Sequence, residues 1–146
     1  MTNRERFVSR EEFARLGDVL REAEINESAS LYAVAAIRLL ILTGARLNEI
    51  LTLQWKHVDF ERRLLLLPDS KTGQKSIRLS DRALDVLAKL PRIKGNPFVI
   101  VGNVDGSHLV NLQKPWRHLR ELAGLDDARI HDLRHSFASV GVSGGA

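Results

Sequence analysis

Thr43-Gly44-Ala45-Arg46-Leu47-Asn48-Glu49-Ile50 closes the most apolar stretch of the chain, and the fold is read outward from it. The preceding residues, Ser28 to Thr43, are apolar on almost every side. That pattern predicts a helix at the centre of a domain rather than on its surface. Gly44 stands where a C-cap glycine ends such a helix, and the small residues around it let a substrate approach the backbone closely. Arg46 to Leu53 predicts a further short helix. Glu49, three residues beyond Arg46, is then in reach of its guanidinium. An isolated Arg-x-x-Glu is an ordinary surface ion pair; what marks this one is its place after a glycine and against a buried helix.

Towards the N-terminus, Ser9-Arg10-Glu11-Glu12 has the capping-box spacing. It opens an amphipathic helix with Phe13, Leu16, Val19 and Leu20 on one face, and Asn26 to Ser30 is a polar connection. Downstream, Arg63 to Leu67 and Ser76 to Leu79 flank a turn holding Asp69, Lys71, Thr72 and Gly73, which predicts a hairpin. Ser80 caps a helix over Asp81 to Leu90, ended by Pro91 and Gly95. Phe98 to Val101 is expected as a third strand, Pro115 to Ala123 as a helix with Gly124 after it, and a last helix near His131. The expected fold class is therefore α+β, mainly helical, with one small antiparallel three-stranded sheet in a single domain.

A chain of 146 residues with 44% hydrophobic and 27% charged residues can bury a core. The absence of cysteine excludes disulfides and thiolate metal sites. The longest apolar run, within Leu31 to Leu42, is broken by Arg38 and is too short to span a bilayer, so no membrane partner is expected. Met1 to Glu12 is highly charged where a secretion signal needs an apolar stretch, so a cytoplasmic protein is expected. The net charge of +4 and a pI of about 9.8 suit a polyanionic partner, whose counterions lysine and arginine displace.

His131-Asp132-Leu133-Arg134-His135 is the second informative stretch. On a helix, His131, Arg134 and His135 share one face. Two imidazoles and a guanidinium suit a phosphate: the planar fork of donors binds nonbridging oxygens and the imidazoles move protons. His131 and His135 also have the spacing of a zinc helix, but no glutamate follows His131, Arg134 repels a cation and no third ligand is marked, so no metal is expected. His135 has a structural alternative, a hydrogen bond into the core. Lys71 and Lys75 share the basic turn and compete for any role there. Trp55 and Trp116 read as scaffold, and Tyr32, the one tyrosine, lies within the apolar helix.

Together these stretches resemble the catalytic domain of the tyrosine recombinases, the phage-integrase family. Its pattern Thr-Gly-x-Arg-x-x-Glu-Ile/Leu-x-x-Leu-x-Trp is matched by Thr43 to Trp55, its Lys-Thr-Gly hairpin by Lys71 to Gly73, and its His-x-Leu-Arg-His by His131 to His135. The resemblance covers nearly the whole chain, from about Ser9 to Ala146. It implies a fold like that of the DNA breaking-rejoining enzymes and site-specific recombination or integration of double-stranded DNA. A tyrosine hydroxyl attacks a phosphodiester, a 3′-phosphotyrosyl link forms, and no cofactor is needed. It implies Arg46, Lys71, His131 and Arg134 as catalytic residues and Glu49 and His135 as supporting ones. Arg46 and Arg134 would clamp the phosphate, Lys71 would protonate the leaving oxygen, and Glu49 would hold Arg46 in its rotamer. Arg46, Lys71, Thr72, Lys75 and Arg134 would contact DNA.

The family pattern continues with a Leu-Gly-His segment and a tyrosine beyond the point where this sequence stops, and places a core-binding domain before the catalytic one. The expectation is therefore a fragment, residues 1–146, without its nucleophile or an N-terminal DNA-binding domain. It would be inactive and monomeric alone, and part of a homotetramer on DNA when whole. The competing expectation is a non-catalytic DNA-binding remnant or regulator that kept the fold.

Overall fold

The computed structural model describes residues 7–69 and 73–133. Five helices and a three-stranded sheet are formed among them. Helix α1 spans Arg10–Asn26, α2 Leu31–Thr43, α3 Leu47–Leu51, α4 Asp81–Lys89 and α5 Gln113–Leu122. A further helical turn covers residues 130–133. The strands are β1 Val58–Asp59, β2 Leu64–Asp69 and β3 Gly73–Arg78, antiparallel in the order β1-β2-β3.

Local chemistry sets the helix starts. Ser9 accepts the Glu12 amide at 3.1 Å while the Glu12 carboxylate accepts the Ser9 amide at 2.9 Å, the reciprocal capping box that the sequence predicts. Ser30 caps α2 through the amides of Tyr32 and Ala33, and Ser80 caps α4 through Ala83. Helix α2 ends at Gly44, whose φ of 70° is left-handed and suits glycine.

Helix α2 is the centre of the core, as its all-round apolarity predicts: Val34, Ala36, Ile37 and Leu39 are completely buried. It packs against α1, α3 and α4, while α1 also packs against α5. Each fully buried leucine or isoleucine contributes about 1.5–3 kcal/mol over an exposed one. Arg15 ties α1 to α5 by donating its Nε–H to the Ala123 carbonyl at 3.0 Å, where α5 ends.

The sheet departs from the expectation in one respect. Its third strand is β1, with Val58 opposite Leu65, and not Phe98 to Val101. Phe98 and Val101 instead make isolated bridges to Gln54 and His108. Apolar β-branched character marks a buried extended segment, but the main-chain bonds of this one go to loops: Val99 donates to Leu53, Trp55 to Pro97 and Leu109 to Ile100. In the hairpin, Leu67 stands opposite Lys75 and Leu65 opposite Ile77. Burial alternates along both strands. Leu65 and Leu67 are buried, Lys75 and Ile77 are half-buried, and Gln74, Ser76 and Arg78 are exposed.

Candidate active site

Arg46 is placed by the turn that ends α2. The Thr43 hydroxyl donates to the Leu39 carbonyl at 2.6 Å and accepts the Ala45 amide at 3.1 Å. Thr43 and Ala45 are both buried, so this turn is fixed within the core. Arg46 follows as the N-cap of α3, with an extended backbone and an exposed side chain. Its amide donates to Glu49 Oε1 at 2.8 Å.

Glu49 acts differently from the expectation that it holds the Arg46 guanidinium. No ion pair joins the two side chains among the described residues. The carboxylate instead binds the main chain of Arg46 and pairs with Lys75, whose Nζ lies 3.2 Å from Oε1 and 3.0 Å from Oε2. The physical reason is the N-cap geometry, which turns an acid three residues on towards the cap amide, together with the half-buried face of β3, which aims Lys75 inwards. Burial alone would raise the Glu49 pKa. The Arg46 amide, then the Lys75 hydrogen bond and charge, and last the Arg46 charge outweigh it and hold the carboxyl below its ordinary value.

His131 is placed from α5. Trp116, completely buried, donates its indole N–H to the Ala128 carbonyl at 3.0 Å, and Arg120 donates to the same oxygen at 2.8 Å. Both tryptophans are scaffold, as the sequence reading has them: Trp55 is half-buried between Phe60 and the Arg92 guanidinium, which sits 4.3 Å from its ring centre. The turn over residues 130–133 begins two residues after Ala128. Asp132, completely buried, accepts the Arg129 amide at 2.8 Å, and the Arg129 guanidinium lies 3.5 Å from its other oxygen. The bond from amide to acid repeats that of Arg46 and Glu49, here with the guanidinium paired to the same acid. Asp132 is not marked by the histidine face; its signal in the sequence is the Arg-x-x-acid spacing, present at both places.

Arg46 and His131 line one cleft of about 340 Å³ with Leu40, Ala45, Leu47, Gln113 and Ile130. No lining residue is acidic, so the cleft suits an anion. Of the expected site residues, the structure brings Arg46 and His131 together and sets Glu49 and Lys75 behind Arg46. Lys71, Thr72, Arg134 and His135 lie outside the described residues. On the other side of α3, Glu49 lines a second cleft of about 440 Å³ with His57 and His108 among its walls. Tyr32 lines neither cleft. Its hydroxyl donates to the Pro91 carbonyl at 3.0 Å, and burial raises its pKa, which disfavours a nucleophilic phenolate.

The model of the phage integrase family matches residues 6–142. The shufflon-specific DNA recombinase of Escherichia coli is 29% identical over 140 residues, covering 94% of this chain and 33% of that protein. The tyrosine recombinase XerA of Saccharolobus solfataricus is 28% identical, covering 94% of this chain and 46% of its own length. Among solved structures, a XerH site-specific recombinase bound to its difH substrate superposes with a TM-score of 0.76 at 22% identity, over 94% of this chain and 43% of that one. A crystal structure of XerA recombinase superposes with a TM-score of 0.73 over the whole of this chain and 54% of that one. The chain thus spans a third to a half of the length of these recombinases, and the solved structures share its fold. With a family model matched along almost its entire length, the chain belongs to the phage integrase family.

Proposed function

We propose that this chain supplies the phosphate-binding part of a tyrosine recombinase active site, for site-specific recombination or integration of double-stranded DNA in the cytoplasm. The observation that carries the reading is the cleft shared by Arg46 and His131, which has a guanidinium and an imidazole on its walls and no acid.

In the proposed reaction a tyrosine oxygen from outside residues 1–146 attacks the scissile phosphorus. A P–O bond to that tyrosine forms, and the bond to the 5′-oxygen breaks. Arg46 and Arg134 hold the two nonbridging oxygens, and their charge stabilises the extra negative charge that builds up there. His131 donates to the phosphate or accepts the tyrosine proton. Lys71 gives its proton to the departing 5′-oxygen. The covalent phosphotyrosyl bond keeps the energy for rejoining, so no nucleotide cofactor enters. Thr72 contacts the backbone beside Lys71, His135 supports Arg134, and the whole protein works as a homotetramer on two duplexes. A non-catalytic DNA-binding remnant, the competing reading, has no physical need to keep a histidine in the cleft that Arg46 lines.

The test runs the second half of the reaction, where no tyrosine is needed. The substrate is a nicked duplex, randomised around the nick, whose 3′-phosphate carries a p-nitrophenyl ester in place of tyrosine. Attack by the 5′-hydroxyl breaks the P–O bond to the aryl group, seals the nick and releases coloured p-nitrophenolate. The proposal expects release that depends on Arg46 and His131, with sealed molecules enriched in one sequence. Binding of the duplex without any release favours the remnant and contradicts the proposal.

A further inference from the structure

We propose that Lys75 is a positioning residue for Arg46, acting through Glu49, and not a contact to DNA. The inference rests on the phosphoryl-transfer reading above.

Two donors converge on one half-buried carboxylate through three contacts. Glu49 Oε1 takes the Arg46 amide at 2.8 Å and Lys75 Nζ at 3.2 Å, and Oε2 takes Lys75 Nζ at 3.0 Å. The Glu49 and Lys75 side chains are 21% and 32% exposed, too enclosed for water alone to satisfy both charges. Lys75 belongs to the face of β3 that packs inwards with Ile77. The outward face carries Gln74, Ser76 and Arg78. A lysine that grips a backbone phosphate needs its ammonium in solvent; this one points it at a carboxylate.

The consequence falls on Arg46. Its guanidinium has no carboxylate partner among the described residues, so its direction depends on its backbone: the buried Thr43 turn on one side and the Glu49 carboxylate on the other. Without Lys75, the enclosed carboxylate keeps only the Arg46 amide as a close partner, and burial then favours the neutral acid. A neutral carboxyl is a weaker acceptor for that amide than a carboxylate. The start of α3 loosens, and Arg46 loses the geometry that a phosphate clamp needs. The charged and titratable groups that face Glu49 are Arg46 on its own helix, Lys75 on β3, and His57 and His108 across the second cleft.

The experiment measures p-nitrophenolate release on the sequence selected above, at saturating duplex, together with duplex affinity as a function of salt. Variants are Lys75→Met, Lys75→Arg, Glu49→Gln, the double variant, and Arg78→Gln as a cation on the outer face of the same strand. Thermal melting confirms that each is folded, and Lys75→Arg keeps the test open if Lys75→Met is not. For Lys75→Met the proposal expects saturated release to fall about tenfold or more with affinity and salt slope unchanged. Lys75→Arg should recover most of the rate, and the double variant should be no worse than the worse single one. The acid limb of the pH–rate profile should move to higher pH in Lys75→Met and stay in place in Arg78→Gln. Weaker duplex binding with the salt slope reduced by about one, and an unchanged saturated rate, would make Lys75 a DNA contact and overturn the proposal. A rate loss with an unmoved acid limb also overturns it. Absence of release from the unsubstituted chain defeats the phosphoryl-transfer reading itself, a different result from any of these.

Discussion

Arg46 and His131, which lie in the first third and at the far end of the described chain, line one cleft. Each sits at the start of a helical turn fixed by an acid: Glu49 on the Arg46 amide at 2.8 Å and Asp132 on the Arg129 amide at 2.8 Å. Residues distant in the sequence thus reach the cleft from turns that share one local device, an acid that accepts the amide three residues before it.

Removing the Thr43 hydroxyl should loosen that cleft. Thr43→Val keeps the shape but leaves the buried Ala45 amide without its acceptor at 3.1 Å. The expected cost is about 1–3 kcal/mol of stability. It is read as a lower midpoint in denaturant, while Thr43→Ser should stay close to the parent.

Trp116, buried in the core, is expected to carry a similar load for the segment that leads to His131. Trp116→Phe removes the indole N–H that holds the Ala128 carbonyl at 3.0 Å and empties part of a completely buried site. A loss of about 2–4 kcal/mol is expected from the missing bond and the cavity together. Calorimetry measures it, and broadened His131 imidazole resonances should accompany it.

Much of this was legible because it is local. The Ser9-Glu12 capping box, the Gly44 stop and the Ser80 cap are each written within four residues of sequence, and each is formed. What was not legible depends on partners distant in the chain. Phe98 to Val101 has strand composition, but its main-chain partners are the distant residues 53–55 and 108–109 rather than a strand. The Glu49–Lys75 pair crosses from α3 to β3, and the sequence favoured the nearer Arg46 guanidinium as the partner. Arg46 and His131 are candidates by their motifs, while the cleft that both line, with Leu40 of α2 and Gln113 of α5, is not written in either motif.

Acid should weaken the fold through two groups. The Glu49 pKa is held down by its partners against burial, and that of His57 is lowered first by burial and then by the Lys56 charge. In both cases the unfolded chain binds protons more readily than the folded one. Stability is then full above the unfolded pKa values and is lost as pH falls, first below the ordinary histidine value of 6.5 for His57 and later below the ordinary glutamate value of 4.5 for Glu49. Denaturant midpoints across pH should show both steps, and His57→Gln should remove the upper one alone. A flat profile from neutral pH to below 4.5 would show that neither group carries the linkage.

The most direct test of the central claim compares the unsubstituted chain with Arg46→Ala in p-nitrophenolate release at saturating duplex. Arg46→Ala should lose about a hundredfold or more in rate, the scale of removing one donor to a developing charge, with duplex affinity falling far less. Equal losses in rate and affinity would contradict it, because Arg46 would then only grip the DNA backbone and the cleft it shares with His131 would not be the site of phosphoryl transfer.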